Sequence, residues 1–182
     1  MTIPVRRQSA QQPAQQRAWS ASFAATAEEH LDDVYAYLVY LTRDRSLAED
    51  LAADTFEKAL RLWGRFDARR ASARTWLCQI ARTTALDWFR AEDRRRRREE
   101  RAAPFERVED AFAEGLSPDL EEALASLSAG EREVIALRIL LELDGEETSR
   151  VLGISPTNVS TRLSRALEKM TAKLEEKVSA DV

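Results

Sequence analysis

The chain has 182 residues, with 28 basic and 32 acidic side chains, a formal net charge of -4 and a single cysteine. This length suits one medium domain or two small ones, and a single cysteine excludes a disulfide within the chain. The negative net charge argues against a DNA-binding protein that acts alone, although the distribution of charge matters more than its sum.

The composition predicts an all-α fold, because Ala, Leu, Arg and Glu dominate and there are only 5 Gly and 5 Pro. The longest apolar run, Val134 to Leu141, is interrupted by Arg138, which excludes a transmembrane segment. The Gln-rich start of the chain lacks the apolar stretch of a secretory signal. We therefore expect a soluble cytoplasmic protein without membrane insertion.

The first predicted helix begins near Ala24 and ends at the segment Thr42 to Ser46. Its single neighbouring histidine, His30, has no second histidine or cysteine nearby, so we expect no metal site. Its apolar face consists of Leu31, Val34, Tyr35, Leu38 and Leu41.

The second predicted helix runs from about Leu47 to Trp63, with Ser46 as N-cap and Glu49 completing a capping box. Gly64 is the expected C-cap residue. Its outer face is mostly acidic, and for these residues alone ordinary solvation is the simplest interpretation. That face consists of Glu49, Asp50, Asp54, Glu57, Lys58 and Arg61.

The third predicted helix, capped by Ser72, combines aromatic residues, arginines and a helical period. One face is apolar and includes Cys78, for which we expect a buried position. The other face carries cations and runs into five consecutive arginines, Arg94 to Arg98. Such a surface suits a nucleic-acid backbone, and single-stranded bases stack on aromatic rings. A solvated helix with a charged end is the alternative from this segment alone.

An acidic segment with Pro104, Gly115 and Pro118 follows, and it has too little apolar surface to order itself. We therefore predict two small helical domains joined by a flexible acidic linker. The predicted boundaries are a polar tail at 1–23, a first domain at 24–98, the linker at 99–119, a second domain at 120–176 and a tail at 177–182.

The second domain has the layout of a helix-turn-helix. Asp144 and Glu147 form a predicted capping box for a short helix, Gly153 supplies a left-handed turn, and Ser155 caps a longer helix. Ser128 and Glu131 form another capping box before an apolar stripe that reaches Leu141. In a helix-turn-helix the second helix enters the major groove by its N-terminal end. Here its inward positions are Val159, Leu163, Ala166, Leu167, Met170 and Leu174, and its outward ones are hydroxyl, amide and guanidinium side chains.

Taken in order, these motifs resemble the extracytoplasmic-function (group 4) sigma factors of the sigma-70 family, the two-domain initiation subunits of bacterial RNA polymerase. Ala48 to Phe56 reads AEDLAADTF, and Phe66 to Thr83 reads FDARRASARTWLCQIART, both similar to region-two motifs. The sequences LSAGEREVIALR and EETSRVLGISPTNVSTRLSRAL stand where the family has its region-four helix-turn-helix. The resemblance covers roughly Ala24 to Leu174.

The resemblance implies that region two binds the clamp helices of the polymerase's largest subunit and captures the non-template strand of the minus-ten element. Region four would read the minus-thirty-five element and lie near the flap region of the polymerase. It also implies an anti-sigma factor as a further partner, and association with the nucleoid through polymerase. No cofactor is expected.

The matching positions form three sets. The core-binding residues implied are Asp50, Leu51, Asp54, Thr55, Phe56 and Lys58. The minus-ten residues are Arg70, Ser72, Arg74, Thr75, Trp76, Arg82, Thr83 and Arg90. The minus-thirty-five residues are Thr157, Asn158, Ser160, Thr161, Arg162 and Arg165.

The chain departs from the family pattern at several of these positions. The usual Gln-Glu before Thr-Phe is Ala53-Asp54, the loop glycine is Ala71, and the asparagine that ends the signature is Thr83. Ser160 stands where relatives often have a cation, so promoter preference cannot be carried over from relatives.

Two other classes of protein fit the sequence less well. A stand-alone helix-turn-helix regulator would bind specific duplex DNA without polymerase. An enzyme is disfavoured because the chain has one His, one Cys and no glycine-rich phosphate loop.

Overall fold

The computed structural model describes residues 22–99 and 117–180, and within these two ranges the regular elements are all helical. This confirms the predicted all-α fold. The helices are α1 (residues 22–29), α2 (Leu31–Thr42), α3 (Arg45–Leu62), α4 (Ala73–Glu99), α5 (Pro118–Ala125), α6 (Ala129–Ile135), α7 (Gly145–Leu152) and α8 (Pro156–Ala180), with a short 3-10 turn at Trp63–Arg65 and a π-helical turn at Ala136–Leu140.

Helices α2, α3 and α4 pack on one another and form the N-terminal module. The side chains of Tyr37, Leu38, Leu51 and Leu77 are fully buried between them. Each of the three leucines contributes roughly 1.5–3 kcal/mol when it leaves water, so this three-helix contact stabilises the module. The module positions the long helix α4, which carries most of the candidate minus-ten residues.

Two predicted helix ends in the N-terminal module are wrong. Helix α3 begins at Arg45, and its N-cap is Asp44, whose carboxylate accepts a hydrogen bond of 2.9 Å from the Leu47 amide. Ser46 already lies inside the helix. Gly64 does not close α3 in a left-handed conformation; it lies within the 3-10 turn that follows Leu62.

Helices α5 to α8 form the C-terminal module, with α8 packed on α5, α6 and α7. The capping boxes of Ser128 with Glu131 and of Asp144 with Glu147 are both present, as predicted. These short-range hydrogen bonds satisfy the free amides at the starts of α6 and α7. Both helices therefore begin where the sequence indicates.

The predicted apolar stripe that reaches Leu141 is buried except at Leu140, because the helix changes to a π-helical turn after α6. The Leu141 amide donates to the Ala136 carbonyl at 2.9 Å, a bond that spans five residues and defines the π-helical turn. Leu140 is 40% exposed and Ile139 is 56% exposed on this turn. Leu167 of α8, predicted to point inward, is 43% exposed.

The two modules are not separate in space. Helix α4 packs on α7, and α2 packs on α6 and the π-helical turn. The buried apolar residues of both modules belong to one contiguous core. The predicted polar tail falls almost entirely outside the described residues, as does most of the predicted linker.

Candidate nucleic-acid interface

The start of helix α4 is fixed by a cap and by a cluster of aromatic rings. The Ser72 hydroxyl accepts a hydrogen bond of 3.2 Å from the Thr75 amide, so Ser72 is the N-cap that the sequence predicts. Trp63 stacks on Phe66 with ring centroids 4.9 Å apart, and Trp76 packs against both rings. The loop between Phe66 and Ser72 therefore lies between an anchored aromatic residue and a capped helix.

The candidate minus-ten residues separate into exposed and enclosed groups. Arg70, Thr83 and Arg90 are exposed, although Arg90 forms an ion pair of 3.2 Å with Asp87. Thr75 is fully buried, and Trp76 is half-buried within the aromatic cluster, so its ring supports the loop in this arrangement.

Three further minus-ten candidates have partners. Arg74 lies 3.7 Å from Asp33 of α2, and Arg82 lies 3.0 Å from Glu133 of α6. The Ser72 hydroxyl donates to Glu147 at 3.0 Å. Two of these partners, Glu133 and Glu147, belong to the C-terminal module, and no local sequence pattern indicates either contact because the paired residues are far apart along the chain.

The arginine run lies in the last turns of α4. Arg95 and Arg96 both contact the carboxylate of Glu92, and Arg97 contacts Asp93 at 2.9 Å. Hydrogen bonds from Arg95 and Arg96 hold the pKa of Glu92 below its ordinary value. Part of the cationic charge is thus balanced within the helix, although every arginine of the run except the half-buried Arg96 is exposed.

The turn between α7 and α8 has the geometry of a helix-turn-helix. Gly153 adopts a left-handed conformation with φ 65° and ψ 34°, and its amide donates to the Ser149 carbonyl. The Ser149 hydroxyl donates to the Ile154 carbonyl at 2.6 Å, and the Ser155 hydroxyl accepts from the Asn158 amide at 3.2 Å. Both the predicted glycine turn and the predicted cap of α8 are confirmed.

The first turns of α8 present a polar surface. Its exposed members offer hydroxyl, amide and guanidinium groups, which hydrogen-bond to phosphates and to base edges. Arg162 is half-buried instead: a Cβ atom added to Gly130 would lie 3.1 Å from its Nη1 atom, so this guanidinium lies against the start of α6. The exposed candidates are Thr157, Asn158, Ser160, Thr161 and Arg165.

The candidate core-binding residues lie on both faces of α3. Asp50 and Asp54 are exposed, and Phe56 and Lys58 are half-buried. Leu51 and Thr55 instead lie in the core, where the Thr55 hydroxyl donates to the Leu51 carbonyl at 2.6 Å. The exposed and half-buried residues can therefore contact a partner directly. Leu51 and Thr55 instead pack in the core and hold the helix in place.

Within residues 22–99 and 117–180, no group of three or more His, Cys, Asp or Glu side chains is arranged to hold a metal ion. In the same ranges no helix is long and apolar enough to span a bilayer. Cys78 is fully buried, as predicted, and burial raises the pKa of its thiol to about 12.

Residues 26–95 match the family model for sigma-70 region 2, and residues 118–170 match the model for sigma-70 region 4. The chain is 34% identical over 163 residues to the extracytoplasmic-function sigma factor SigC of Mycobacterium tuberculosis, covering 87% of this chain and 84% of SigC. It is 28% identical over 165 residues to SigX of Bacillus subtilis, covering 85% of this chain and 84% of SigX.

A similar solved structure is the sigma factor RpoE in complex with the anti-sigma factor NepR from Bartonella quintana. Its TM-score is 0.70 at 25% sequence identity, and the match covers 85% of this chain and 97% of the other. The family matches fall on the two helical modules that carry the candidate sites. The chain therefore belongs to the extracytoplasmic-function sigma factors of the sigma-70 family, alternative sigma factors that direct RNA polymerase to specific promoters.

Proposed function

We propose that this chain joins core RNA polymerase through the outer face of α3 and reads a promoter at two separate elements. Exposure of Asp50 and Asp54, beside the half-buried Phe56 and Lys58, supports a polar docking surface with an apolar centre. Acidic and apolar groups suit a helical partner that carries cations at its rim. The clamp helices of the largest polymerase subunit are the proposed partner.

The minus-thirty-five element is read by α8. The observation that carries this assignment is the helix-turn-helix geometry at Gly153, after which the first turns of α8 present exposed polar side chains. Arg165 and Thr161 lie one helical turn apart, so both can face one groove. A bidentate arginine contact to guanine contributes roughly 1–3 kcal/mol of discrimination against the wrong base.

The minus-ten element is read by the first half of α4 and the loop before it. Arg70 and Thr83 are exposed there, and Ser72, Arg74 and Arg82 offer further donors once their present partners are replaced. Single-stranded DNA binds where cationic groups follow the backbone and aromatic rings support the bases. We assign capture of the melted non-template strand to this surface.

Binding to polymerase compensates for the weak affinity of each module for DNA. A net charge of -4 disfavours tight binding to DNA by the free chain. When both modules are held on one polymerase, the second contact becomes intramolecular, and its effective concentration rises. The chain then acts as a specificity subunit rather than as a catalyst, in the cytoplasm and at the nucleoid with polymerase.

An anti-sigma factor is the remaining proposed partner. The matched RpoE structure contains one, and RpoE resembles this chain over most of its length. An anti-sigma factor that binds between the two modules would block both DNA-binding surfaces at once.

The test is DNA binding by the purified chain with and without core polymerase, using radiolabelled promoter fragments in a filter assay. We expect weak, salt-sensitive binding by the chain alone and specific binding once core polymerase is added. Tight, sequence-specific duplex binding by the isolated chain would contradict the proposal and favour a stand-alone regulator.

A further inference from the structure

The first helix, α1, buries one aromatic side chain, Phe23. This side chain is 8% exposed, whereas the adjoining Ser22 and Ala24 are exposed. Its ring meets the indole of Trp63 edge to face, with ring centroids 5.4 Å apart and an angle of 69° between the planes. Phe23 precedes residues 26–95, which match sigma-70 region 2, so that match assigns it no role.

Trp63 connects Phe23 to both ends of the loop that we assign to the minus-ten element. Its indole stacks on Phe66, where the loop begins, with an angle of 12° between the planes. It also contacts Trp76, which lies in the first turn of α4 after the loop, at a centroid distance of 5.9 Å. The rings of Phe66 and Trp76 are 5.3 Å apart, so the four aromatic residues form one connected ring cluster.

The loop itself is closed by a turn at Asp67. The Arg70 amide donates to the Asp67 carbonyl at 2.9 Å, and the Asp67 carboxylate accepts from the amide and the guanidinium of Arg69, each at 3.0 Å. The hydrogen bonds from Arg69 hold the pKa of Asp67 below its ordinary value. The Arg69 guanidinium therefore has a partner within the loop, while the next residue, Arg70, is exposed.

The turn sets the internal shape of the loop, and its two ends set its direction relative to α4. At the α4 end the direction is set by the Ser72 cap. At the other end Phe66 is tied to Trp63 twice, by ring stacking and by a hydrogen bond of 3.0 Å from the Phe66 amide to the Trp63 carbonyl. Any tilt of Trp63 therefore moves the loop. Phe23 opposes such a tilt, because edge-to-face aromatic pairs have a preferred geometry.

We propose that Phe23 is a positioning residue for minus-ten recognition: its ring fixes Trp63, and Trp63 fixes the angle at which the loop presents Arg70 to the melted strand. This inference rests on the proposed function and adds a residue to it. Loss of the Phe23 ring leaves the proposed core-binding and minus-thirty-five surfaces unchanged, because neither surface includes a member of the ring cluster.

The test uses the full chain with Phe23→Ala, which removes the ring, or Phe23→Leu, which keeps an apolar side chain without a ring. The control is Val39→Ala, at a buried position in the same module. Val39 lies in the last turn of α2, which leads into the start of α3. Trp63 follows the other end of α3, roughly 27 Å further along that helix. Circular dichroism and the Tm establish that each variant is folded.

Hydrogen exchange of the segment 66–72 in the free chain, followed by mass spectrometry, reports on the loop without polymerase. We expect its amides to exchange about tenfold faster in both Phe23 variants than in Val39→Ala, the factor that loss of one aromatic contact can produce. Exchange equal to that of Val39→Ala would overturn the proposal. A uniform increase across α2 and α3 would overturn it as well, because it would show general destabilisation.

Promoter selectivity with core polymerase is the second readout. The probe is a promoter recovered by transcription of a genomic library, with its minus-ten positions randomised in one template pool and its minus-thirty-five positions in another. Each template carries a transcribed barcode. We expect the preference for the favoured minus-ten bases to fall about tenfold in the Phe23 variants, and the minus-thirty-five preference to stay unchanged. Selectivity is a ratio between templates, so a smaller amount of folded protein does not alter it.

The two readouts separate failure of the inference from failure of the proposed function. Equal minus-ten selectivity in Phe23→Ala and Val39→Ala, with an active wild-type chain, would refute the positioning role alone. A wild-type chain that starts no transcription would refute the proposed function, whereas hydrogen exchange would still measure the effect of Phe23 on the loop.

Discussion

The ammonium group of Lys169 in α8 lies 2.7 Å from the carboxylate of Glu131 in α6, so an ion pair holds α8 against the start of α6. The same carboxylate accepts a hydrogen bond of 2.8 Å from the Ser128 amide. The hydrogen bonds from Lys169 and Ser128 lower the pKa of Glu131 from 4.5 to about 2. The charged form of Glu131 is therefore a stabilising element of the C-terminal module.

This contact predicts a pH dependence of stability. Because folding lowers the pKa of Glu131, its contribution is complete above the unfolded value of 4.5 and is lost as the pH falls toward about 2. We expect the difference in urea midpoint between the wild type and Glu131→Gln to shrink across that window, as measured by circular dichroism. Glu168→Gln, at an exposed position, is the control. A difference for Glu131→Gln that stays constant with pH would contradict the assignment.

The left-handed turn at Gly153 predicts a backbone effect. A Cβ atom there would meet nothing within 4 Å, so Gly153→Ala tests conformational strain without a steric clash. Non-glycine residues in this conformation cost roughly 1–2 kcal/mol, so we expect a loss of about 1 kcal/mol in the free energy of unfolding.

Gly145→Ala is the matched control for that measurement. Gly145 begins α7, has no positive φ, and likewise has open space around its Cα. Urea denaturation should show no loss for this variant, since alanine also restricts the unfolded chain. Equal destabilisation by both substitutions would show that the turn conformation is not the cause.

The division of roles between modules predicts opposite phenotypes for two substitutions. Arg165→Ala should weaken binding to the minus-thirty-five element about tenfold and leave the affinity for core polymerase unchanged, because Arg165 is exposed on α8. Phe56→Ala should lower the affinity for core polymerase and leave the minus-thirty-five contact intact. Pull-down of core polymerase and promoter binding by the holoenzyme measure the two effects. If both substitutions reduced core binding equally, the division would be wrong.

The burial of Cys78 predicts an unreactive thiol. Its pKa is raised to about 12 chiefly by burial, so at pH 8 it is both protonated and inaccessible. We expect no labelling by a thiol-specific disulfide reagent in the native state and one thiol per chain after unfolding in guanidinium chloride. Rapid labelling of the folded chain would place Cys78 outside the core.

Local hydrogen-bond chemistry made much of the fold predictable. Ser72, Ser128 and Asp144 act within a few residues of their partners, so their caps could be recognised in the sequence. Asp44 was missed because Ser46 is an equally good capping residue two positions later. The difference lies in Arg43, whose left-handed conformation, with φ 55°, ends α2 and leaves Asp44 as the first extended residue.

The contacts between the modules could not be predicted in this way. Glu147 was recognised as the N3 residue of a capping box, a role that uses only one of its carboxylate oxygens. Its second oxygen binds residues more than seventy positions earlier in the chain, and no local pattern encodes such a pairing. For the same reason the sequence places Arg82 on an outer face, whereas it lies against Glu133.

Transcription in vitro from a bacterial genomic DNA library, with core polymerase and with or without the purified chain, tests the sigma-factor assignment most directly. We predict new transcripts only when the chain is present, and we expect their start sites to share two upstream sequence elements at a fixed separation. Identical transcripts in the presence and absence of the chain, or failure of the chain to bind core polymerase, would contradict it.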